Sequence, residues 1–295
     1  MNKTVVLGSR GSDLALKQTE WVIAKLKEVF PEIECKIKII KTKGDKILDV
    51  TLDKIGGKGL FVKEIEHELL QGTIDMAVHS MKDVPVEMPD GLRIAAVSCR
   101  EDARDVLVSR TGKKIMEMPA GAVVGTSSLR RQVQILQMRP DIHIVPLRGN
   151  ILTRLNKVKS DFDAIVLAAA GLKRAGLEYQ VTEYFESDQF IPAVGQGILG
   201  IETRDDDNIS QEMLKTVHDD HAFICLQAER AFLARLNGGC HVPIGAYACL
   251  EENTLKMHGM LYRDHMVKEY TEGDIDHPEE LGIALAEKIL AKFNG

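Results

Sequence analysis

The sequence predicts an α/β protein with three domains: two similar, doubly wound sheets followed by a small α/β domain with an antiparallel sheet. Three observations support this fold class. Short apolar runs typical of strands alternate with helical periodicity through the first two thirds of the chain, one strand–turn–helix pattern occurs twice, and the last third has strands at hairpin spacing. A length of 295 residues also exceeds the usual size of one domain.

The chain opens with a strand and a helix. Residues 4–7 form an apolar run, and apolar side chains then recur at helical spacing over 15–29 until Pro31 ends the helix. The alternation continues, and it predicts a strand over 35–40, a helix over 61–71 closed by Gly72, and strands over 74–79 and 92–98. Helices between the strands favour a largely parallel sheet.

An internal similarity follows. Residues 5–10 and 123–128 both contain a strand, a glycine, a hydroxyl residue and the start of a helix. Residues 75–80 and 163–168 both place an aspartate before a short apolar strand that ends in a loop. The simplest interpretation is two similar α/β domains joined near residues 99–104.

The last third of the chain has a different pattern. An amphipathic helix is predicted over 219–236 and a closing helix over 278–293. Between them, strands are predicted over 246–250, 255–261 and 267–270. Their short spacing indicates an antiparallel sheet in a third, smaller domain.

Composition excludes several classes of protein. Lysine and arginine number 38 against 44 aspartates and glutamates, and the formal net charge of −6 argues against nucleic-acid binding as the main function. Five cysteines without a C-x-x-C pair indicate neither a disulfide framework nor a metal site, and they favour a reduced, cytoplasmic setting. No apolar stretch resembles a signal segment or a membrane span, so we expect no membrane partner.

Two residues stand out as candidates for chemistry. Cys240 lies in a run of glycines and a proline that favours a turn and leaves its thiol accessible, although a structural thiol at a tight turn is an equal alternative. Asp83 follows a predicted strand and precedes Val84 and Pro85, where the backbone is extended. Its alternative interpretation is an Asx turn or a surface ion pair.

Three loops before predicted helices combine small residues with arginines: 8–12, 125–131 and 147–150. Helix N-termini and guanidinium groups both bind carboxylate or phosphate, whereas the alternative is that the hydroxyls cap helices and the arginines are solvated. The segment 54–61 is a candidate basic flap or a flexible linker, and it lacks the spacing of a nucleotide-binding phosphate loop.

Thiol, carboxylate and arginines leave three function classes open: a transferase acting on an anionic substrate, a non-catalytic anion-binding protein, and a hydrolase with Cys240 as nucleophile. A hydrolase would need His241 or another histidine as its base, and His241 is a poor candidate because adjacent residues in a turn rarely point at each other.

Together these segments resemble the porphobilinogen deaminase (hydroxymethylbilane synthase) family, and the likeness runs from residue 8 to about residue 290. The segments that carry it are 55–61, 79–85, 125–131, 147–150, 192–197 and 238–245. The resemblance implies a monomeric transferase of haem biosynthesis. It condenses four porphobilinogen molecules head to tail onto a dipyrromethane cofactor, with release of ammonia and the linear tetrapyrrole hydroxymethylbilane.

The resemblance also implies an architecture. The first two domains are expected to be similar to periplasmic binding proteins and to be connected by two crossovers. Domain one then comprises 1–98 and 198–217, domain two 103–193, and domain three 219–295.

Residue roles follow from the same resemblance. Cys240 is expected to attach the cofactor through a thioether, and Asp83 to be catalytic. The expected cofactor contacts are Lys82, Thr126, Ser127, Ser128, Arg130 and Arg131. The expected substrate contacts are Arg10, Ser12, Gln18, Ser80, Arg148, Arg154, Arg174 and Gln196, and the expected flap residues are Lys54, Lys58 and Phe61. The chain departs from the family pattern at Gly11 and His241, and neither change removes a charged partner.

Overall fold

A computed structural model describes residues 4–46, 59–237 and 242–294. These residues form two compact units. Within the described residues, unit 1 contains 4–46, 59–101 and 198–223, and unit 2 contains 102–197, 224–237 and 242–294.

The secondary structure alternates as the sequence predicts. The strands are β1 (Thr4–Ser9), β2 (Glu34–Ile39), β3 (Met76–Ser80), β4 (Leu92–Val97), β5 (Asp105–Ser109), β6 (Val123–Gly125), β7 (His143–Val145), β8 (Ala164–Ala168), β9 (Glu183–Tyr184), β10 (Leu199–Arg204), β11 (Ile244–Glu251), β12 (Thr254–Tyr262) and β13 (Met266–Asp274). The α-helices are α1 (Asp13–Val29), α2 (Lys43–Lys46), α3 (Lys63–Leu70), α4 (Leu129–Met138), α5 (Ile151–Val158), α6 (Ala169–Ala175), α7 (Asn208–Leu214), α8 (Asp220–Arg235) and α9 (Pro278–Asn294).

Unit 1 is built on a five-stranded sheet with the order β2-β1-β3-β10-β4. Strand β1 is parallel to β2 and β3, whereas β10 is antiparallel to β3 and β4. The sheet is therefore largely parallel with one reversed strand, and that strand comes from the part of the chain that follows residue 197. Apolar side chains of β1, β3, β10 and α1 form the core of this unit.

Unit 2 contains a second five-stranded sheet with the order β7-β6-β8-β5-β9. Here β6 is parallel to β7 and β8, whereas β5 is antiparallel to β8 and β9. Across each sheet, three parallel strands are followed by one reversed strand and then by an edge strand. In each set of three parallel strands, the central strand is the first of the three in the sequence. This common pattern confirms the internal similarity inferred from the sequence.

The rest of unit 2 is an antiparallel sheet of β11, β12 and β13. Its core lies under α8 and α9, where Phe232 and Leu285 pack with residues such as Met257. Glycine at 259 lets the sheet approach α8 closely, because a Cβ there would lie 2.8 Å from the Phe232 ring. The predicted fold class, two doubly wound α/β sheets and a small antiparallel sheet, is confirmed.

Helix ends follow local chemistry. The hydroxyl of Ser12 caps α1 by accepting a hydrogen bond from Ala15 N, and the helix ends at Val29, before Pro31. Gly72, which follows α3, adopts a φ of +67° that favours glycine. Among the described residues, no helix is both long and apolar enough to cross a membrane.

Candidate functional site

In unit 1 the carboxyl ends of β1 and β3 meet at one edge of the sheet because the two strands are parallel neighbours. The chain leaves β3 at Ser80 and makes a 3₁₀ turn over Met81–Asp83. The turn is closed by a hydrogen bond from Val84 N to Met81 O, at 3.2 Å. Asp83 and Lys82 are half-buried on this turn.

Met81 anchors the turn that carries Asp83. Its side chain is buried, and its backbone N–H donates to Ile198 O at 3.0 Å. Opposite it lies Gly200 of β10, where a Cβ would fall 2.2 Å from the Met81 sulfur. The close approach of β10 therefore fixes the Asp83 turn to the central part of the sheet, and functional groups held on such elements are well positioned.

The other candidates in unit 1 surround the same sheet edge. The buried Gln18 of α1 donates through Nε2 to the Ser80 hydroxyl at 3.1 Å. Arg10, just beyond β1, places its guanidinium carbon 4.2 Å from the centre of the Phe61 ring, a cation–π contact. The sequence candidates Arg10, Ser12, Gln18, Phe61, Ser80, Lys82 and Asp83 all belong to unit 1.

His79 has a structural role. It is buried on β3, and its Nε2 lies 2.8 Å from Oε2 of the buried Glu202 on β10. Burial and the nearby charge of Glu202 raise the pKa of Glu66 on α3. Because His79 lies on β3 and Glu202 on β10, the hydrogen bond between them links the two strands immediately before the Asp83 turn.

In unit 2 the hydroxyls of the 126–128 loop are engaged in local structure. Ser128 caps α4 by accepting from Arg131 N at 3.4 Å, and Thr126 Oγ1 accepts from Ser128 N at 3.2 Å. Ser127 Oγ donates to Leu147 O and accepts from Leu147 N, which joins this loop to the neighbouring one. These bonds agree with the capping alternative, and a cofactor contact by the same hydroxyls remains a prediction.

The arginines of α4 meet a carboxylate that the sequence analysis did not identify. Asp105, fully buried at the start of β5, accepts through Oδ2 from Arg130 Nη1 at 2.7 Å. Its Oδ1 accepts from Arg131 Nη2 at 2.7 Å and Nε at 3.0 Å. Arg130 and Arg131 are only 5% and 7% exposed. We call Asp105, Arg130 and Arg131 the arginine cluster.

The direction of β5 explains why these residues meet. Because β5 is antiparallel to β8, its first residue, Asp105, lies opposite Ala168 at the carboxyl end of β8. Helix α4 begins at this same edge, after β6. The only sequence signal was an acidic residue leading directly into the apolar run that becomes β5.

The electrostatics of the arginine cluster are those of a tightly paired group. Burial opposes ionisation of Asp105, but the charges of Arg130 and Arg131 outweigh it and hold the pKa of Asp105 well below its usual range. Burial also lowers the pKa of Arg130, against the opposing effect of Asp105. With all three groups charged, the cluster itself carries a net charge of +1.

The remaining candidates of unit 2 are Gln196, which contacts the cluster, and three arginines. Buried Gln196 donates through Nε2 to Asp105 Oδ1 at 2.9 Å and to Ala103 O at 2.7 Å. Arg154 Nε donates to Gly149 O and Arg174 Nη2 to Gly197 O. Gly149 has a φ of +118°, so the turn into α5 requires glycine. Arg148, Arg154 and Arg174 are half-buried.

Three sequence candidates lie outside the described residues: Cys240, Lys54 and Lys58. Within the described ranges, no group of three or more histidine, cysteine, aspartate or glutamate side chains could hold a metal ion.

Comparisons with known proteins give a consistent result. A family model described as "Porphobilinogen deaminase, dipyromethane cofactor binding domain" matches residues 5–212, and one described as "Porphobilinogen deaminase, C-terminal domain" matches residues 223–291.

Curated relatives agree with the family models. The porphobilinogen deaminase of Carboxydothermus hydrogenoformans is 52% identical, over 99% of this chain and 95% of the relative. That of Alkaliphilus metalliredigens is 50% identical, over 98% of this chain and 93% of the relative. That of Shouchella clausii is 55% identical, over 88% of this chain and 84% of the relative.

The arginine cluster leads to a prediction about stability. Asp105→Ala leaves two buried guanidinium groups without their carboxylate, and we expect the free energy of unfolding to fall by about 3–5 kcal/mol. Asp141→Ala is the matched control, because Asp141 is exposed and Arg139 keeps its hydrogen bonds to Ile115 O and Met118 O, so this loss should cost under ~1 kcal/mol. Urea unfolding measures both changes, and equal losses would contradict the role given to Asp105.

The lowered pKa of Asp105 leads to a second prediction. A carboxyl group with a lower pKa in the folded state contributes stability above its unfolded pKa of about 3.9, and this stability is lost as the pH falls through the folded value. Between about pH 4 and pH 2 the free energy of unfolding should therefore fall more steeply for the parent protein than for Asp105→Asn. Urea unfolding at each pH tests this, and parallel curves would refute it.

Proposed function

Because the chain belongs to the porphobilinogen deaminase family, we propose that Cys240 attaches the dipyrromethane cofactor and that Asp83 is the catalytic carboxylate. The family establishes the activity. The protein is a transferase that polymerises porphobilinogen in tetrapyrrole biosynthesis, and dipyrromethane is its cofactor. The non-catalytic and hydrolase classes that the sequence left open are thereby excluded.

The residues of unit 2 fit a cofactor that carries carboxylates. The rings of dipyrromethane bear acetate and propionate groups, which need cationic partners. A guanidinium has five N–H donors, and in the described part of the chain Arg130 uses two and Arg131 three for Asp105 and backbone carbonyls. Donors thus remain for carboxylates of the cofactor, and the net positive charge of the arginine cluster favours them.

Asp83 has the properties that the reaction needs from a carboxylate. When bound, dipyrromethane supplies the carbon to which porphobilinogen units are added. As ammonia leaves porphobilinogen, positive charge develops on the ring nitrogen of that substrate. A carboxylate on a fixed turn stabilises this charge without reorganising, and it accepts hydrogen bonds from pyrrole N–H groups. The anchoring of the turn by Met81 and Gly200 is the observation that supports this role.

The remaining arginines are assigned to the substrate. Each added unit brings two carboxylates, so a growing chain accumulates negative charge. Arg10, Arg148, Arg154 and Arg174 bind these carboxylates in our proposal, with Ser12, Gln18, Ser80 and Gln196 as polar contacts and Lys54, Lys58 and Phe61 on the flap. The cofactor contacts are Lys82, Thr126, Ser127, Ser128, Arg130 and Arg131.

Finer features are part of the same proposal. The enzyme acts as a monomer in the cytoplasm and has no nucleic-acid partner. Its domains are 1–98 with 198–217, 103–193 and 219–295.

Cofactor attachment is tested by the intact mass of natively purified protein. The parent should exceed its sequence mass by two pyrrole rings, because the thioether survives purification. Cys240→Ser should lack this increment, whereas Cys99→Ser, which removes an exposed cysteine elsewhere, should keep it. A parent protein with no added mass, or a Cys240→Ser variant that retains it, would refute the assignment.

Asp83 is tested by turnover. Asp83→Asn should keep the cofactor mass and the fold but release ammonia from porphobilinogen about 10²–10⁴-fold more slowly, because the developing cation loses its carboxylate. Asp90→Asn, an exposed acidic residue in the same part of the chain, should retain full turnover. Near-normal turnover of Asp83→Asn would reject the proposed role.

A further inference from the structure

The segment formed by residues 191–197 contacts the arginine cluster directly. Ile191 O accepts hydrogen bonds from Arg130 Nη1 at 2.7 Å and from Gln134 Nε2 at 3.1 Å. Ile191 N donates to Gln134 Oε1 at 2.8 Å, so Gln134 holds both polar groups of this residue. At the other end of the segment, Gln196 donates to Asp105. The segment is therefore fixed to the cluster at both ends.

The same segment pairs with β11, the strand that begins four residues after Cys240. Ala246 N donates to Pro192 O at 3.1 Å. A Cβ at Gly245 would lie 2.8 Å from Pro192 O, 2.9 Å from Ile191 O and 3.0 Å from Arg130 Cδ. Two of these atoms belong to the backbone and have little room to move, so glycine is required by space at this position.

A buried carboxylate joins the segment to β11 a second time. Glu229 on α8 is 0% exposed, and its Oε2 accepts from Gly195 N at 2.6 Å. Its Oε1 accepts from Ala248 N at 2.8 Å. One side chain thus holds the segment and the strand at a fixed separation, with charge-assisted hydrogen bonds to both.

We propose that Gly245 and Glu229 are positioning residues, which set the placement of β11 relative to Arg130 and Arg131 through the segment 191–197. The inference rests on the proposed attachment of the cofactor to Cys240. Because Gly245 follows Cys240 by only five positions, the placement of β11 limits where the attached rings meet the guanidinium groups. Displacement of reacting groups by about 1 Å can cost about 10²-fold in rate.

Gly245→Ala tests the proposal, with Gly273→Ala as its control. Both variants add a methyl group to the antiparallel sheet, but the nearest atom to a Cβ at 273 is Leu281 Cδ1, the movable end of a side chain, at 2.9 Å. We expect kcat per cofactor-bearing molecule to fall about 10–100-fold in Gly245→Ala, with KM for porphobilinogen within about threefold of the parent. Gly273→Ala should retain the kcat of the parent.

The measurements separate positioning from folding. Turnover is normalised to the fraction carrying two pyrrole rings by intact mass and is measured well below the Tm of every variant. A Gly245→Ala variant with kcat within twofold of the parent overturns the inference while leaving the proposed function standing. A parent protein without the two rings overturns the proposed function itself.

A second variant covers the case in which Gly245→Ala does not fold. Glu229→Gln preserves the size of the side chain but places an amide N–H against a backbone N–H, so one of the two bonds is lost. We expect the same fall in kcat with KM little changed. Normal kcat per cofactor-bearing molecule in Glu229→Gln overturns the inference.

Discussion

The architecture of unit 2 depends on the carboxylate of Asp105, which lies at the meeting point of two strands, one helix and one loop. It pairs with Arg130 and Arg131 of α4 and accepts a further bond from Gln196. Two buried guanidinium groups would be very costly without a counter-charge, so this acid is what allows Arg130 and Arg131 to be buried at the carboxyl edge of the sheet. The cluster shows how an acidic chain with net charge −6 maintains a local cationic site.

Unit 1 instead holds a partly exposed carboxylate in a fixed position. Asp83 is half-buried, and its turn is held by the buried Met81, by the His79–Glu202 pair and by the glycine of β10 that faces the Met81 sulfur. The reversed strand β10 is thus essential to the placement of Asp83. In unit 2 the reversed strand β5 similarly carries Asp105. In both units, the strand inserted against the direction of its neighbours supports the site residues.

Much of this could be predicted from the sequence, because the signals were local. Strands such as β8, buried on both faces, leave uninterrupted apolar runs, and Ser12 and Gly72 mark helix ends through their own backbone requirements. Pairing between distant segments left no such signal. The insertion of β10 beside β3 was expected only from the family resemblance.

The residues missed at the site share this cause. Asp105 is an acidic residue before an apolar run, and nothing near it in sequence shows that it faces Arg130. Glu229 lies inside a helix that the sequence marks by its apolar periodicity, and its two partners are 34 and 19 residues away. Both residues could have been identified by their being charged and buried. The sequence does not show this, because the burial of a single residue depends on tertiary structure.

The hydrogen bonds along β11 have a consequence for self-association. Edge strands normally expose unpaired N–H groups, on which a strand from another molecule can add. In β11 the N–H groups of Ala246 and Ala248, on the side away from β12, are occupied by Pro192 O and by the Glu229 carboxylate. The small antiparallel sheet is thereby blocked at this edge against intermolecular β-pairing, and detachment of the 191–197 segment would open a template for aggregation.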